Sequence, residues 1–526
     1  MKVLVTDNLS PAGVELLRKE KDITVDARPA MTKEALLKAI GRYDGLVVRS
    51  GTKVTADVIQ AAKKLKVIAR AGVGVDNIDV AAATKRGIIV MNTPTGNTIS
   101  TAEHTFSLLL ALSRNVPLAD RSLRDGKWER KKFLGAELNH KVLGIVGLGR
   151  IGTEVANRAR AFGMHVLAYD PLLTEAHARG LDIEVGSLDD VIEKSDYITL
   201  HAPLTAETHH LLGDKEFARM RKGVRIINCA RGGMVDEKAL ARAIKSGRVA
   251  GAALDVYEQE PPKDSPLLGL DQVVATPHLA ASTDEAQTNV AVEAARQMVD
   301  ALKGGIIRNA LNMPQVDSST LEIIRPYIGL VEKLGLFLGQ FVRGAAFKVA
   351  ATYSGKMPVE ELRPISRAML KGFLEPALRE TVNYVNADVL ASERNIEFVE
   401  TRTEEARDYV QLISLRVETD AETHEVGGVL FSESQPRIVL IDGYRVEAVP
   451  EGVMLICFNE DKPRIIGKLG MLLGDNNINI ANMTLGRKER GGPAVTVLNL
   501  DADVSPELLK RVSRIKHIND ARVVRF

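Results

Sequence analysis

The sequence predicts an α/β protein of several domains, with a Rossmann-type doubly wound sheet in the middle of the chain. Three observations predict it. At 526 residues the chain exceeds what a single hydrophobic core fills, ~250–300 residues. Short β-rich runs alternate with helical patterns up to about residue 282, as βαβ units on parallel sheets do. A glycine-rich turn, GLGRIG, stands between an apolar strand and a helix.

In order from the N-terminus, KVLVTD, DGLVVRS, KVIARAG and IIVMNT read as strands, rich in β-branched residues and bounded by turn formers. PAGVELLRKE, KEALLKAI and ADVIQAAKKL carry apolar residues at helical spacing. TISTAEHTFSLLLALSRNVP predicts one long helix over 98–118. A second α/β run follows, with strands KVLGIVG, HVLAYD, YITLHAP, VRIINCA, GAALDV and VVATP, and a helix over 283–303. The nucleotide-type fold sits mid-chain, so the domain begun at the N-terminus needs completing by a later segment; that last helix is the candidate. The expected division is 1–97 plus 283–306 for the first domain and 98–282 for the second. After GGIIRNALNMP the texture changes. Residues 307–452 mix helices and strands, and 453–526 read βαββαβ, a ferredoxin-like pattern.

Composition narrows the function classes. Lys plus Arg is 70 and Asp plus Glu is 68, a net charge of +2, which argues against a dedicated nucleic-acid or polybasic membrane surface. The two cysteines, Cys229 and Cys457, form no CxxC pair, so zinc or a disulfide framework is not expected. MKVLVTDNLS reads as a strand rather than a signal peptide, and no apolar run approaches the ~20 residues of a membrane span. A cytoplasmic enzyme is the expectation.

The glycine turn carries Gly147, Gly149 and Gly152 in G-x-G-x-x-G spacing, with Arg150 and Ile151 opening the helix. Such glycines permit a tight turn, close approach to a pyrophosphate and close helix packing, while the helix N-terminus favours the phosphates. The next strand ends at Asp170, whose carboxylate suits ribose hydroxyls and repels a 2′-phosphate; the pattern therefore predicts NAD. Three ionisable residues then follow three strands: Arg231 in NCARGGMVDE, Glu260 in YEQEPP and His278 in TPHLAAST. Loops at the carboxyl ends of parallel strands line the ligand crevice. Oxidising a secondary alcohol needs a base for the hydroxyl proton, which histidine supplies; a neighbouring carboxylate orients the ring and favours imidazolium. An arginine holds an α-carboxylate by a paired contact. Taken singly, each also has a structural use: Arg231 pairing Asp236 or capping a helix, Glu260 in a solvated turn, His278 as a structural histidine.

RAGVGVDNID, GLGRIG, NCARGGMVDE, YEQEPP and TPHLAAST resemble the successive signatures of the D-isomer-specific 2-hydroxyacid dehydrogenases, over residues 1 to about 306. The resemblance implies Arg231, Glu260 and His278 as the catalytic triad. It also implies a flavodoxin-like substrate domain beside the cofactor domain, and Thr205, Cys229, Ala230, Arg231, Asp255 and His278 on the nicotinamide side. A phosphorylated substrate needs cations. Arg49 and Arg70 end two strands, with Ser50, Val73 and Gly74 in the turns after them, and Asn97 adds a polar contact. GKWERKKF places Lys132 near Trp128, the single tryptophan; this is either a source of cations for substrate or a solvated loop with Trp128 against a neighbouring subunit.

FNEDKPRIIGKLGMLLGDNNINIANM resembles the start of an ACT domain, and the region before it is similar to the intervening domain of long-form D-3-phosphoglycerate dehydrogenases. This order implies D-3-phosphoglycerate as substrate at the entry to serine biosynthesis, and self-association as a dimer or tetramer. It also implies L-serine as effector, bound between ACT modules on Asn459, Asp461 and Asn479. The loop after the first ACT strand is expected to face the turn after the first helix, and the junctions GGIIRNALNMP and VPEG to act as hinges. Arg464 follows Pro463 where that family has glycine, and it is expected to close or alter the pocket. Two other readings stand: another 2-hydroxyacid dehydrogenase, such as a glyoxylate or hydroxypyruvate reductase, or a non-enzymatic NAD-sensing scaffold.

Overall fold

The computed structural model describes residues 1–526 apart from 173–182, 358, 379–380, 406–407 and 433. The first sheet holds β1 (Lys2–Val5), β2 (Thr24–Ala27), β3 (Gly45–Val48), β4 (Val67–Arg70) and β5 (Ile89–Asn92). All are parallel, in the order β2-β1-β3-β4-β5, the flavodoxin-like order. β3 is buried along its whole length, which is why it reads as a continuous apolar run rather than an alternation. One face of the sheet is closed by the helix Asp284–Leu302, whose Ala291, Ala294, Ala295 and Met298 share a core with Val3, Val5 and Val47. That helix comes so close that a Cβ on Gly13 would lie 2.6 Å from the Ala291 carbonyl oxygen.

The second sheet holds β6 (Val142–Val146), β7 (His165–Tyr169), β8 (Glu184–Val185), β9 (Tyr197–Leu200), β10 (Val224–Asn228), β11 (Val249–Leu254) and β12 (Val273–Ala275). Its order, β12-β11-β10-β9-β6-β7-β8, reverses between β6 and β9, the switch point where a Rossmann sheet takes its ligand. The expected helix over 98–118 is in fact two, Thr98–Ser113 and Val116–Arg124. They break at Asn115, whose φ of +52° lies in the left-handed region that asparagine tolerates. The first of them connects the two sheets and packs on the second, with Ala102, Phe106 and Leu109 against Leu143 and Ile145.

Beyond Leu302 a six-stranded sheet is built from β13 (Ala346–Gly355), β14 (Glu397–Thr403), β15 (Gln411–Thr419), β16 (Thr423–Phe431), β17 (Gln435–Ile441) and β18 (Tyr444–Ala448). It packs on the helices Ser318–Phe341 and Arg363–Leu374. These cross closely at glycines: a Cβ on Gly335 would meet the Met369 carbonyl oxygen at 2.1 Å. The final sheet, β19 (Val453–Glu460), β20 (Ile480–Arg487), β21 (Pro493–Leu500) and β22 (Ile518–Arg525), is antiparallel in the order β20-β21-β19-β22, a ferredoxin-like βαββαβ fold. Its Met454, Ile456, Val495 and Val524 join one core with Leu338 and Phe341.

Neither junction expected to hinge is loose. Asn309 accepts from the Asn92 amide at 3.3 Å, Leu311 donates to the Val90 carbonyl at 2.8 Å, and Asn312 accepts from the Val90 amide at 3.0 Å. The segment is thereby laid along the edge of β5. The second junction is held by the Asn499 amide, which donates to Val449 and Glu451 carbonyls at 2.9 and 3.2 Å. Among the described residues no helix is long and apolar enough to cross a membrane, and no group of ligating side chains could hold a metal ion.

Candidate active site

The carboxyl ends of the two parallel sheets face one another across a cleft of about 900 Å³. The first sheet contributes Arg49, Ser50, Arg70, Val73 and Gly74, and the connecting helix adds Asn97 and Thr101. The second contributes Ile151, Cys229, Ala230, Arg231, Glu260 and His278. Twelve residues named from sequence thus meet in one space because parallel strands deliver their ends and following turns to the same edge.

His278 follows β12 with φ at +54° and carries Nδ1 at 2.8 Å from Glu260 Oε2. Glu260 Oε1 accepts from the Tyr257 amide at 3.3 Å, which ties the carboxylate to its own loop. The histidine side chain is 53% exposed, so the pair adds little to stability; such pairs are worth ~0–1 kcal/mol. Its effect is on orientation: Nδ1 is engaged and Nε2 is left for a ligand.

Arg231 follows β10. Its Nη1 donates to the Ala230 carbonyl at 2.8 Å, and its Nε lies 3.2 Å from Asp76 of the facing sheet. Asp236 instead caps the helix Glu237–Lys245, accepting from the Ala239 amide at 2.9 Å, and is not the partner of Arg231. Gly74 makes room for the guanidinium, since a Cβ there would lie 2.0 Å from Nη2. Arg70 lies deeper. Burial, then the neighbouring Arg231, brings its pKa down to about 10, so it remains a cation at neutral pH. Arg49 is set by Asp7, which accepts from the Arg49 and Thr52 amides at 2.8 and 3.0 Å. Among the described residues Arg70 Nε, Asn97 Oδ1 and Thr101 Oγ1 are buried without a hydrogen-bond partner, the mark of a cleft lined to receive a polar ligand.

The glycine turn has the stereochemistry its spacing predicts. Gly147 has φ at +93° and a Cβ there would meet the His201 carbonyl oxygen at 2.7 Å. A Cβ on Gly152 would lie 2.1 Å from the Gly147 carbonyl oxygen, while Gly149 faces open space at the start of the helix Arg150–Ala161. Asp170 accepts from the Leu148 and Leu172 amides, both at 2.9 Å, and so holds the turn while sitting at the end of β7. These residues fit NAD, which needs an open N-terminal cradle for its pyrophosphate and an acid at the end of the second strand.

Other expected site residues lie elsewhere. Asp255 is fully buried under the His278 loop. Thr205 is exposed just beyond the lining residue Leu204, bonded to Thr208. Lys132 is on an exposed turn, 3.6 Å from Glu129, outside the cleft lining of its own chain; Trp128 nearby is 77% exposed. Cys229 lines the cleft but is a poor nucleophile, since burial pushes its thiol up to about 12.

The expected facing of the two ACT loops needs correction. Asn459 lies near the end of β19 and Asp461 just beyond it, whereas Asn479 precedes β20 at the other end of the sheet, bonded to Asp501 at 2.7 Å. The intervening helix Ile465–Gly474 runs back along β19, so the turn after it returns to where the strand began. Within one chain the loop after β19 therefore does not face that turn. Asn459 is 2% exposed and accepts from Thr496 at 2.8 Å; Asp461 is paired with Arg487 at 2.6 Å. The Gly491 amide and Arg487 hold the Asp461 carboxyl below its ordinary range. Arg464 has φ at +76°, the conformation that a glycine adopts without strain, and its side chain points into solvent.

A Rossmann sheet with a His–Glu pair and an arginine, all facing the cationic ends of the first sheet, defines the class: a nicotinamide-dependent 2-hydroxyacid dehydrogenase. Residues 106–280 match the family model of the D-isomer specific 2-hydroxyacid dehydrogenase NAD binding domain. Residues 323–442 match the D-3-phosphoglycerate dehydrogenase intervening domain, and 453–517 the ACT domain. Curated relatives include the D-3-phosphoglycerate dehydrogenases of Archaeoglobus fulgidus, 47% identical over 100% of both chains, and Methanocaldococcus jannaschii, 46% identical over 100% of this chain and 99% of that one. Among solved structures, D-lactate dehydrogenase from Aquifex aeolicus complexed with NAD and lactic acid is 31% identical, with a TM-score of 0.54 over 60% of this chain and 100% of that one. The chain belongs to the D-3-phosphoglycerate dehydrogenase family of the D-isomer specific 2-hydroxyacid dehydrogenases.

Sequence reading missed His201 and Asp76, both in the cleft. His201 follows β9 just as Arg231 follows β10, so its post-strand position was the available signal; burial holds its ring down to about 4, hence neutral. Asp76 carries no such signal, because its role depends on the facing sheet.

Proposed function

We propose that this chain oxidises D-3-phosphoglycerate to 3-phosphohydroxypyruvate with NAD, as a cytoplasmic entry enzyme of serine biosynthesis. The observation that carries the reading is the cleft, with an acid–base pair on one wall and Arg49, Arg70 and Arg231 spread across both. Bound NAD supplies the acceptor for the C2 hydride. His278 takes the C2 hydroxyl proton on Nε2, and Glu260 on Nδ1 holds the ring with Nε2 toward the substrate. Arg231 holds the carboxylate and polarises the C2 oxygen. The substrate carboxylate replaces Asp76, whose 70% exposure makes the resting pair weak enough to exchange. Arg49 and Arg70 take the phosphate, with Ser50 and the turn at Val73 and Gly74 closing around it.

An assay of NAD reduction tests this: D-3-phosphoglycerate should be turned over and unphosphorylated D-glycerate should not. Equal rates on both would assign the chain to a hydroxyacid reductase instead. In the same assay NADP should fail, and Asp170→Ala should narrow the preference, since the carboxylate no longer opposes a 2′-phosphate. Parental use of NADP would remove the ribose role from Asp170.

We also propose that the ACT modules of two copies form a serine site, in a dimer or tetramer. With Asn479 a sheet length from Asn459 and Asp461, the three can meet only between chains. Coupling of ~1–3 kcal/mol corresponds to roughly 5–150-fold in affinity. L-serine titrated against the enzyme should inhibit, and Asp461→Ala should abolish the effect. Absence of both binding and inhibition would leave the module to another ligand.

A further inference from the structure

One charged cluster beside the cleft has no part in the scheme above. Asp255 follows β11 and is fully buried, yet its carboxylate accepts four hydrogen bonds. Oδ1 takes the Thr276 hydroxyl at 2.6 Å and the Leu279 amide at 2.7 Å, and Oδ2 takes the Ala280 amide at 2.8 Å. Three of the donors thus come from the loop that carries His278. The fourth comes from outside it: His104 Nε2 lies 3.2 Å from Asp255 Oδ1 and 3.2 Å from Thr276 Oγ1. Thr276 already donates its hydrogen to Asp255, so both neighbours of His104 can only accept from it. This assigns the hydrogen of His104 to Nε2.

His104 stands on the helix Thr98–Ser113 that joins the two sheets. Asn97, Thr101 and His104 follow at intervals of four and three residues and share one face. The first two line the cleft, each with a buried unpartnered oxygen, and the third reaches the clasp. On the same helix Ser100 bonds Thr283, the cap of the helix Asp284–Leu302, at 2.7 Å. The connecting helix therefore touches substrate space and the His278 loop along a single line. His278 sits at φ +54°, a conformation that persists only when its surroundings hold it.

We propose that His104 is a positioning residue for this dehydrogenase: through its Nε2–H to Asp255 it fixes the His278 loop and ties the orientation of the base to the helix that joins the two domains. The inference rests on the reading of His278 as the base. Its readout is turnover rather than folding, since three donors remain on Asp255 when His104 is removed, and a base displaced by about 1 Å loses as much as 10²-fold in rate.

The test compares His104→Met, which keeps the volume and removes the donor, with His104→Gln, which restores an N–H at similar reach. In the full-length enzyme, His104→Met should lose about tenfold or more in kcat with KM for NAD within twofold, and His104→Gln should recover most of it. Parental kcat in His104→Met, or equal losses in both variants, overturns the proposal. If His104→Met does not fold, His104→Asn takes its place, because its amide falls one methylene short; Asn should then lose what Gln keeps. His278→Ala in the same series separates the two claims: full activity there sinks the base assignment, whereas loss there with no effect at His104 sinks only the clasp.

Discussion

Replacing His278 with alanine will lower turnover of D-3-phosphoglycerate by about 10²–10⁴-fold, the range that general acid–base catalysis contributes. The enzyme will still fold and still bind NAD. The argument rests on where the side chain sits. It is 53% exposed and its one described side-chain partner is Glu260, so little packing is lost with it. An exposed pair is worth ~0–1 kcal/mol, which in a domain of this size moves Tm by roughly 2–4 °C at most. The residues proposed to hold NAD, Gly147, Gly149 and Asp170, follow β6 and β7, while His278 follows β12, at least four strands away in the same sheet. KM for NAD should therefore change less than twofold. Single-turnover NADH formation at saturating substrate reads the chemical step directly. A variant that keeps more than a third of parental turnover would show that the proton leaves by another route and that Nε2 of His278 is not the base.

Much of this site was legible in the sequence because parallel sheets obey a simple rule. Each apolar run ends where a loop enters the crevice, so Arg49, Arg70, Arg231, Glu260 and His278 were found by their place after strands. The glycine turn was legible for the same reason, since its spacing is a statement about φ and close approach at Gly147 and Gly152. What stayed hidden depends on facing surfaces. Asp76 pairs with Arg231 across the gap between two sheets, and His104 reaches Asp255 from a helix 151 residues away in sequence. No periodicity encodes such pairs. The same limit explains why the two ACT loops expected to face each other do not do so within one chain. Asn459, Asp461 and Asn479 are close in sequence, and only the antiparallel return of the helix Ile465–Gly474 sets them at opposite ends of a sheet. The junction GGIIRNALNMP was expected to hinge, yet its Asn309, Leu311 and Asn312 make the hydrogen bonds that lay it against β5.

The second large effect is expected at Arg231, and here the conservative change should be nearly as damaging as the drastic one. Arg231→Lys will lower kcat/KM for D-3-phosphoglycerate by about 10–10²-fold, because it gives up a charge-assisted hydrogen bond to the carboxylate, worth ~1.5–3 kcal/mol, and each ~1.4 kcal/mol is tenfold. The guanidinium is seated as a plane rather than a point: Nη1 is fixed on the Ala230 carbonyl at 2.8 Å, Nε lies toward Asp76 at 3.2 Å, and Nη2 occupies the space left by Gly74. That seating aims two N–H groups into the cleft at once, which suits a carboxylate; an ammonium has the charge but cannot span both oxygens. Lysine would also leave the Ala230 carbonyl without its present donor and open a gap beside Gly74. The loss should fall on substrate and leave KM for NAD within about twofold, since the residues of the glycine turn are untouched. Gly74→Ala offers the converse: its new Cβ would sit 2.0 Å from Nη2, forcing the intact guanidinium out of place, and it should reproduce most of the Arg231→Lys defect. If Arg231→Lys stays within threefold of the parent while Gly74→Ala is inactive, the carboxylate is held by the backbone of the Val73–Gly74 turn and Arg231 only balances charge.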